Sequence, residues 1–436
     1  LPLSTIRDVI ATYISENNIT INKFAERSGI HSATLTRIIK GQQAFNMGHL
    51  DKVTATLGLE KDYFYDSYVD ECLYLFAPTW RRIRPFIQRC AEAGRVDCIR
   101  QLVEGLLDDL AYASMLFELA EELFDQKYWK AAAVLYENVA LSERLQNSER
   151  LALCKFRLFT ISIGDDRERN FIEAALFEPY AERLDEFNRL DALESLVHVY
   201  ASLHDWDKVD TLAQEILHLA TTLYEMQYRS DGRTNSPRKD SKGPRKPLYR
   251  YILYANLSRS TAFEEKGDYT TALSLVQHYT DARWIKENNQ EAKRVITQFQ
   301  EWGKANTYLY RVLDGQRDVV EEYAEYVSAK ENEIFIALFR ILESANRYHW
   351  DVDHIIERFS SSIPYHEHID PFTKRNKQVY DDYYTRFQNE LAKYYLTHKH
   401  IEKSDINISG TDLSATFDPE RNIIKGKLSV EFEVEF

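Results

Sequence analysis

At 436 residues the chain exceeds one ordinary hydrophobic core, so two or more structural units are expected. Its 44% hydrophobic and 28% charged residues are those of a globular protein, and no apolar run approaches membrane-spanning length. A net charge of −14 excludes a surface that attracts nucleic acid everywhere, and only 14 glycines and 10 prolines favour long helices over many-turned β architecture.

Charge is unevenly distributed. Residues 1–60 carry Arg7, Lys23, Arg27, Arg37, Lys40 and Lys52 against Asp8, Glu16, Glu26, Asp51 and Glu60, a net +1 that leaves −15 on the remainder. No acid falls between Arg27 and Gln43. A first helix is expected over Ser4–Ser15, because Ile6, Val9, Ile10, Tyr13 and Ile14 share a face at helical spacing. A second helix is expected from an Asn22 N-cap to Ser28, followed by a turn at Gly29 and a plug at Ile30. The third is expected over Ser32–Lys40 with Ser32 as N-cap, Leu35, Ile38 and Ile39 inward, and Gly41 as the C′ residue. A fourth is expected over Met47–Leu57.

The order of small residue, Gly turn, apolar plug and then TLTRIIKG resembles the Cro/CI-type helix-turn-helix family over about 60 residues. That resemblance implies a double-stranded DNA operator, with Ser32, Ala33, Thr34 and Arg37 at base edges and Lys40, Gln42 and Gln43 near phosphates. Arg37 is the first choice as base reader, because a guanidinium pairs bidentately with guanine.

From Asp66 to about His400 the chain reads as successive amphipathic helices in which an anchor is followed by apolar or small residues at +3, +7 and +10. The sets are Val96, Ile99, Val103, Leu106; Trp129, Ala132, Tyr136, Val139; Trp206, Val209, Ala213, Ile216; Tyr269, Ala272, Val276, Tyr279; and a weaker Arg317, Val320, Ala324, Val327. A degenerate copy is expected near Gly164–Phe177. GDYTTALSLVQHY resembles the tetratricopeptide repeat, which implies a right-handed α-solenoid with a concave wall; the alternative is a helical bundle without repeats. The register before each anchor selects Glu194 and His198, then Tyr254, Ser258 and Thr261, then Trp302 and Asn306 as wall residues for a short peptide.

Arg229–Arg250 breaks the pattern with eight basic residues, two acids, three prolines and two glycines, and reads as a loop. At the C-terminus KLSVEFEVEF alternates apolar and polar residues, so a β-hairpin pairing it with Leu413–Phe417 is expected. The expected organisation is therefore mainly α: residues 1–65 a helix-turn-helix domain, 66–403 a tetratricopeptide-like domain with a basic flexible insertion at 228–250, and 404–436 a hairpin tail.

The four cysteines lack CxxC spacing and read as reduced thiols of a cytoplasmic protein rather than a metal site. No Walker loop, Rossmann fingerprint, GxSxG or HExxH is present, so no enzyme and no cofactor is expected; the histidines around Tyr365 read as a surface loop. A Cro/CI-type head joined to such a body resembles the RRNPP-type peptide-pheromone receptors of Gram-positive bacteria and their phages, including the PlcR, NprR and arbitrium receptor groups. The resemblance rests on TLTRIIKG and GDYTTAL and covers about residues 4–400 in architecture. It implies a homodimeric quorum-sensing transcription regulator that binds a signalling oligopeptide on the concave wall. Two rivals stay open at this point: a scaffold controlled by a protein partner, and a peptide-regulated antagonist of a response regulator.

Overall fold

The computed structural model describes residues 5–106, 111–143, 148–228, 244–359, 377–398, 416–418 and 423–425. It is mainly helical, and its contacts fall into two compact units: Leu1–Ile163 with Ile172–Ala192, and Gly164–Phe171 with Leu193–Phe436.

The first unit begins with α1 (Ile6–Glu16), α2 (Ile21–Ser28), α3 (Ser32–Ile39) and α4 (Met47–Thr56). Each starts where a backbone N–H would otherwise be orphaned. Thr5 and Asp8 form a reciprocal capping box on α1, Thr20 accepts from the Lys23 N–H on α2, and Asn46 accepts from the His49 N–H on α4. Two caps differ from expectation. Thr20 rather than Asn22 caps α2, so that helix starts two residues earlier; His31 occupies the N-cap of α3, which leaves Ser32 as its first helical residue. Gly29 at φ 62° closes α2, with its N–H on Glu26 C=O and the Ile30 N–H on Ala25 C=O, and this turn buries Ile30 against the core. Phe24, Leu35, Ile38, Phe45 and Val53 are fully buried, each contributing about 1.5–3 kcal/mol by removal from water.

α5 (Tyr65–Asp70) runs directly into a π-turn at Glu71–Leu75, then come α6 (Trp80–Ala93), α7 (Val96–Glu104), α8 (Ala111–Asp125), α9 (Trp129–Ser142), α10 (Glu149–Ser162) and α11 (Arg167–Phe177). One apolar cluster runs from Ile6 to Cys154, joined where Tyr65 and Tyr68 meet Phe86 edge-on at 5.4 and 4.9 Å. The boundary expected after residue 65 falls inside this cluster.

α12 (Glu186–Ser202) leads into the second unit, which contains α13 (Trp206–Gln227), α14 (Leu248–Glu265), α15 (Tyr269–Thr280), α16 (Gln290–Leu313), α17 (Val320–Ser328), α18 (Glu331–Tyr348), α19 (Asp353–Arg358) and α20 (Lys377–His398). Within it α13 packs on α14, α14 on α15, α15 on α16, α17 on α18 and α18 on α20.

A single turn geometry recurs in both units. Gly94, Lys127, His204, Gly267 and Gly315 all adopt positive φ, and each lies two residues before an anchor read from the sequence. In every copy the positive-φ N–H bonds the carbonyl three residues back and the following N–H bonds the carbonyl five back, as in Lys127 to Phe124 and Tyr128 to Leu123. Asp205 and Asp268 then cap α13 and α15 by accepting from the N–H groups of Lys208 and Thr271. The +3, +7 and +10 residues of all five sets are buried. The stretch Gly164–Phe177, where a degenerate copy was expected, contains α11, followed by a 3-10 turn at Glu178–Arg183.

The C-terminal pairing differs from expectation. β1 (Thr416–Asp418) pairs antiparallel with β2 (Ile423–Lys425), placing Phe417 opposite Ile424. The hairpin between Leu413–Phe417 and the alternating segment is therefore not the one formed by Phe417, and residues 427–436 lie outside the described residues. So do 229–243 of the basic insertion, of which Pro244–Lys246 precede α14, and the histidine-bearing stretch at 365–368.

Candidate DNA interface and candidate peptide site

α3 presents the DNA-facing candidates. Leu35 and Ile38 anchor its inner side, while Ala33, Arg37 and Lys40 are exposed and Ser32 and Thr34 half-buried. Gly41 at φ 69° ends the helix, with its N–H on Ile38 C=O and the Gln42 N–H on Arg37 C=O, and this turn leaves Gln42 exposed and Gln43 half-buried beyond it. Exposed Arg27 lies at the C-terminal end of α2. Ser32 has a second duty: its hydroxyl donates to Asn22 Oδ1 and ties α3 to α2. Lys52 Nζ donates to Gly29 C=O at 2.9 Å and so closes the C-terminal end of α2.

Beneath α3 sits a charged contact that the sequence did not signal. Arg7 Nε donates to Ile38 C=O at 2.8 Å, and its two terminal nitrogens fork onto buried Glu71 at 2.6 and 2.9 Å. Glu71 also accepts from the Phe45 N–H at 3.1 Å.

In the second unit, four of the seven wall candidates meet. Glu194 is buried and takes Lys246 Nζ at 2.5 Å and His198 Nε2 at 3.9 Å; Tyr254 Oη lies 3.4 Å from His198 Nε2. Burial disfavours the Glu194 carboxylate, but the hydrogen bond from His198 and the charge of Lys246 outweigh it and hold its pKa at about 2. Burial, then the Glu194 charge, push the Tyr254 phenol up, while a hydrogen bond with buried Ser258 opposes them. The other three stand apart. Asn306 spends its amide on Tyr279 Oη at 3.0 Å, half-buried Thr261 hydrogen-bonds Tyr310, and Trp302 is exposed at 37% with its ring edge-on to Phe299 at 5.1 Å.

A cavity of about 230 Å³ lies elsewhere, between α18 and α20, lined by Phe339, Glu343, Arg386, Asn389, Glu390 and Lys393, and it includes none of the seven. Beside it Arg340 binds Glu264 and Glu343, both at 2.9 Å, and Glu265. In the first unit Asp66, Asp97 and Cys98 come within 4.8 Å of one another, but Arg95 already donates to both carboxylates. All four cysteines are free and buried. Among the described residues no helix is long and apolar enough to cross a membrane.

Residues 10–60 match the model of the Cro/C1-type HTH DNA-binding domain. No curated protein matches the chain. The match and the geometry of α2 and α3 agree on a helical, DNA-binding transcription regulator.

Proposed function

We propose that this regulator is a non-enzymatic, cytoplasmic homodimer whose operator affinity is controlled by a short signalling oligopeptide bound by residues 66–403, as in peptide quorum sensing. The observation that supports the DNA arm is the exposed, acid-free face of α3, carrying Arg37 and Lys40 within the matched domain. Arg37 reads a guanine edge, and Lys40, Gln42 and Gln43 hold phosphates. On a chain of net −14, one head gains little from nonspecific attraction, so two correctly spaced heads are needed for tight binding. The repeat-like hairpins stack as a right-handed solenoid in this reading.

The peptide arm is supported by the meeting of Glu194, His198, Tyr254 and Ser258. A carboxylate held ionised beside hydroxyl and imidazole groups suits a cationic group of a peptide, which would compete with Lys246 for Glu194. A peptide that binds one body conformation better shifts its population by the difference in affinity, and the spacing of the heads shifts with it. The test is binding of the full chain to a duplex from its own promoter region, with and without short peptides encoded beside its gene. Specific binding that Arg37→Ala leaves intact would sink the DNA arm. Absence of any thermal shift with those peptides would sink the peptide arm.

A further inference from the structure

We propose that Arg7, Tyr68 and Glu71 are positioning residues for DNA reading, through which α5 and its π-turn set the seat of the recognition helix. Arg7 and Glu71 both fall outside the matched residues 10–60, and Tyr68 does too. The inference rests on the DNA-binding reading and on nothing said of a peptide.

Three contacts converge from α5 and the π-turn. The Arg7 guanidinium closes the carbonyl of Ile38, one of the last of α3, where a cation also suits the helix dipole. Its remaining fork is held by Glu71, which is only 1% exposed, so the pair is fixed in a water-poor site. The guanidinium carbon also lies over the rings of Phe45 and Phe76, at 5.4 and 5.5 Å. The backbone of Phe45 is clamped at both ends: Glu71 accepts its N–H, and the Tyr68 hydroxyl donates to its carbonyl at 3.0 Å. Phe45 ends the short loop that carries Gln42 and Gln43. One segment, Tyr68–Glu71, thus holds both the end of α3 and the loop behind it.

The local helix geometry makes this hold sensitive to register. Glu71 is the first residue of a π-turn, a rare, wider winding that is frequently found at functional sites. Advancing the segment by one residue would put Cys72 where the carboxylate stands, and a thiol cannot take the fork of a guanidinium. Because Tyr65 and Tyr68 pack on Phe86, movement of α6 would carry the hold with it.

The experiment uses the full chain and a duplex enriched by the wild-type protein from a random-sequence pool, with an unenriched duplex as control. Glu71→Gln removes the charge but keeps the shape. The affinity for the enriched duplex should fall about tenfold or more, a loss on the scale of one bidentate base contact, while affinity for the control changes less than about twofold. Amide exchange at residues 38–46 should accelerate, with α6 and α7 still protected. Tyr68→Phe, which deletes one hydrogen bond and keeps the ring, should lower enriched-duplex affinity about threefold and serves if Glu71→Gln does not fold. Parallel loss on both duplexes, or no loss in a folded variant, overturns the inference alone. A wild-type chain that enriches no duplex overturns this inference and the DNA-binding reading together.

Discussion

Glu264 offers a quantitative test of the second unit's interior. Its carboxyl is buried near the end of α14 beside Arg340, with Glu265 and Glu343 on the same guanidinium and Arg386 3.8 Å from Glu265. The phenols of Tyr310 and Tyr323 lie close enough to feel its charge. Burial raises the pKa of Glu264; Arg340 and Arg386 pull it down, Glu265 and Glu343 push it up, and the result is about 7 against an ordinary 4.5. Glu343 also pairs with Arg347 at 3.4 Å, so the cluster is not short of cations; burial is the leading cause, and it keeps the proton on Glu264 into the neutral range.

A raised carboxylate binds its proton more tightly when folded. Its contribution to stability is therefore largest below pH 4.5, shrinks as pH rises from 4.5 to about 7, and is gone above that. A shift of this size corresponds to about 3 kcal/mol, with the attraction of Arg340 already included. Glu264→Gln supplies a neutral isostere that still accepts from Arg340. Urea denaturation of the full chain across pH 5 to 8 should show the variant close to wild type at the acid end. At the alkaline end it should be more stable by about 1–3 kcal/mol. A difference that is flat across that range, or a variant less stable at pH 8, would refute the raised pKa of Glu264.

Glu194 should behave with the opposite sign: its pKa, held at about 2, adds stability above pH 4.5 that is lost as pH falls toward 2, and Glu194→Gln should flatten that acid limb in the same titration. Arg37→Ala should cost about 1–3 kcal/mol on the promoter duplex by fluorescence anisotropy, with a shallower salt dependence; an unchanged affinity would remove Arg37 as the base reader. Lys127→Gly should stabilise by about 0.5–1 kcal/mol in chemical denaturation, since an L side chain at φ 68° is strained there. Gly94→Ala should destabilise by about 1 kcal/mol although nothing lies within 4 Å of the added Cβ, and a neutral result would show that backbone conformation is not what selects glycine at this turn.

What was legible in the sequence was periodic. Ala132, Ala213, Ala272 and Ala324 are fully buried because a small residue in mid-stripe lets paired helices approach, and spacing alone identified them. The turn before a stripe was read only at Gly267, although Gly94 and Gly315 take the same positive φ. It was hidden at Lys127 and His204, where an ordinary side chain takes the same positive φ and only the neighbouring stripes point to it. Caps were misplaced by one or two residues because Thr20 and Asn22 both suit the start of α2, and Ser32 lies next to His31 at the start of α3. In the structure Asn22 and Ser32 hydrogen-bond each other, and the N-caps fall at Thr20 and His31. Pairing of charges left no local trace. Arg7 and Glu71 are 64 residues apart, and Glu265 and Arg340 75 apart; in a sequence each reads as one more solvated charge. A helical period says which face is buried but not which charge is buried with it. The residues that seat α3, and the carboxylate most able to register pH, could be found only once distant helices were placed side by side. The wall candidates fall between these cases. Register chose faces of α12 and α14 that do meet, at Glu194, His198 and Tyr254, but it could not foresee that Asn306 would turn to Tyr279 and Glu194 to Lys246.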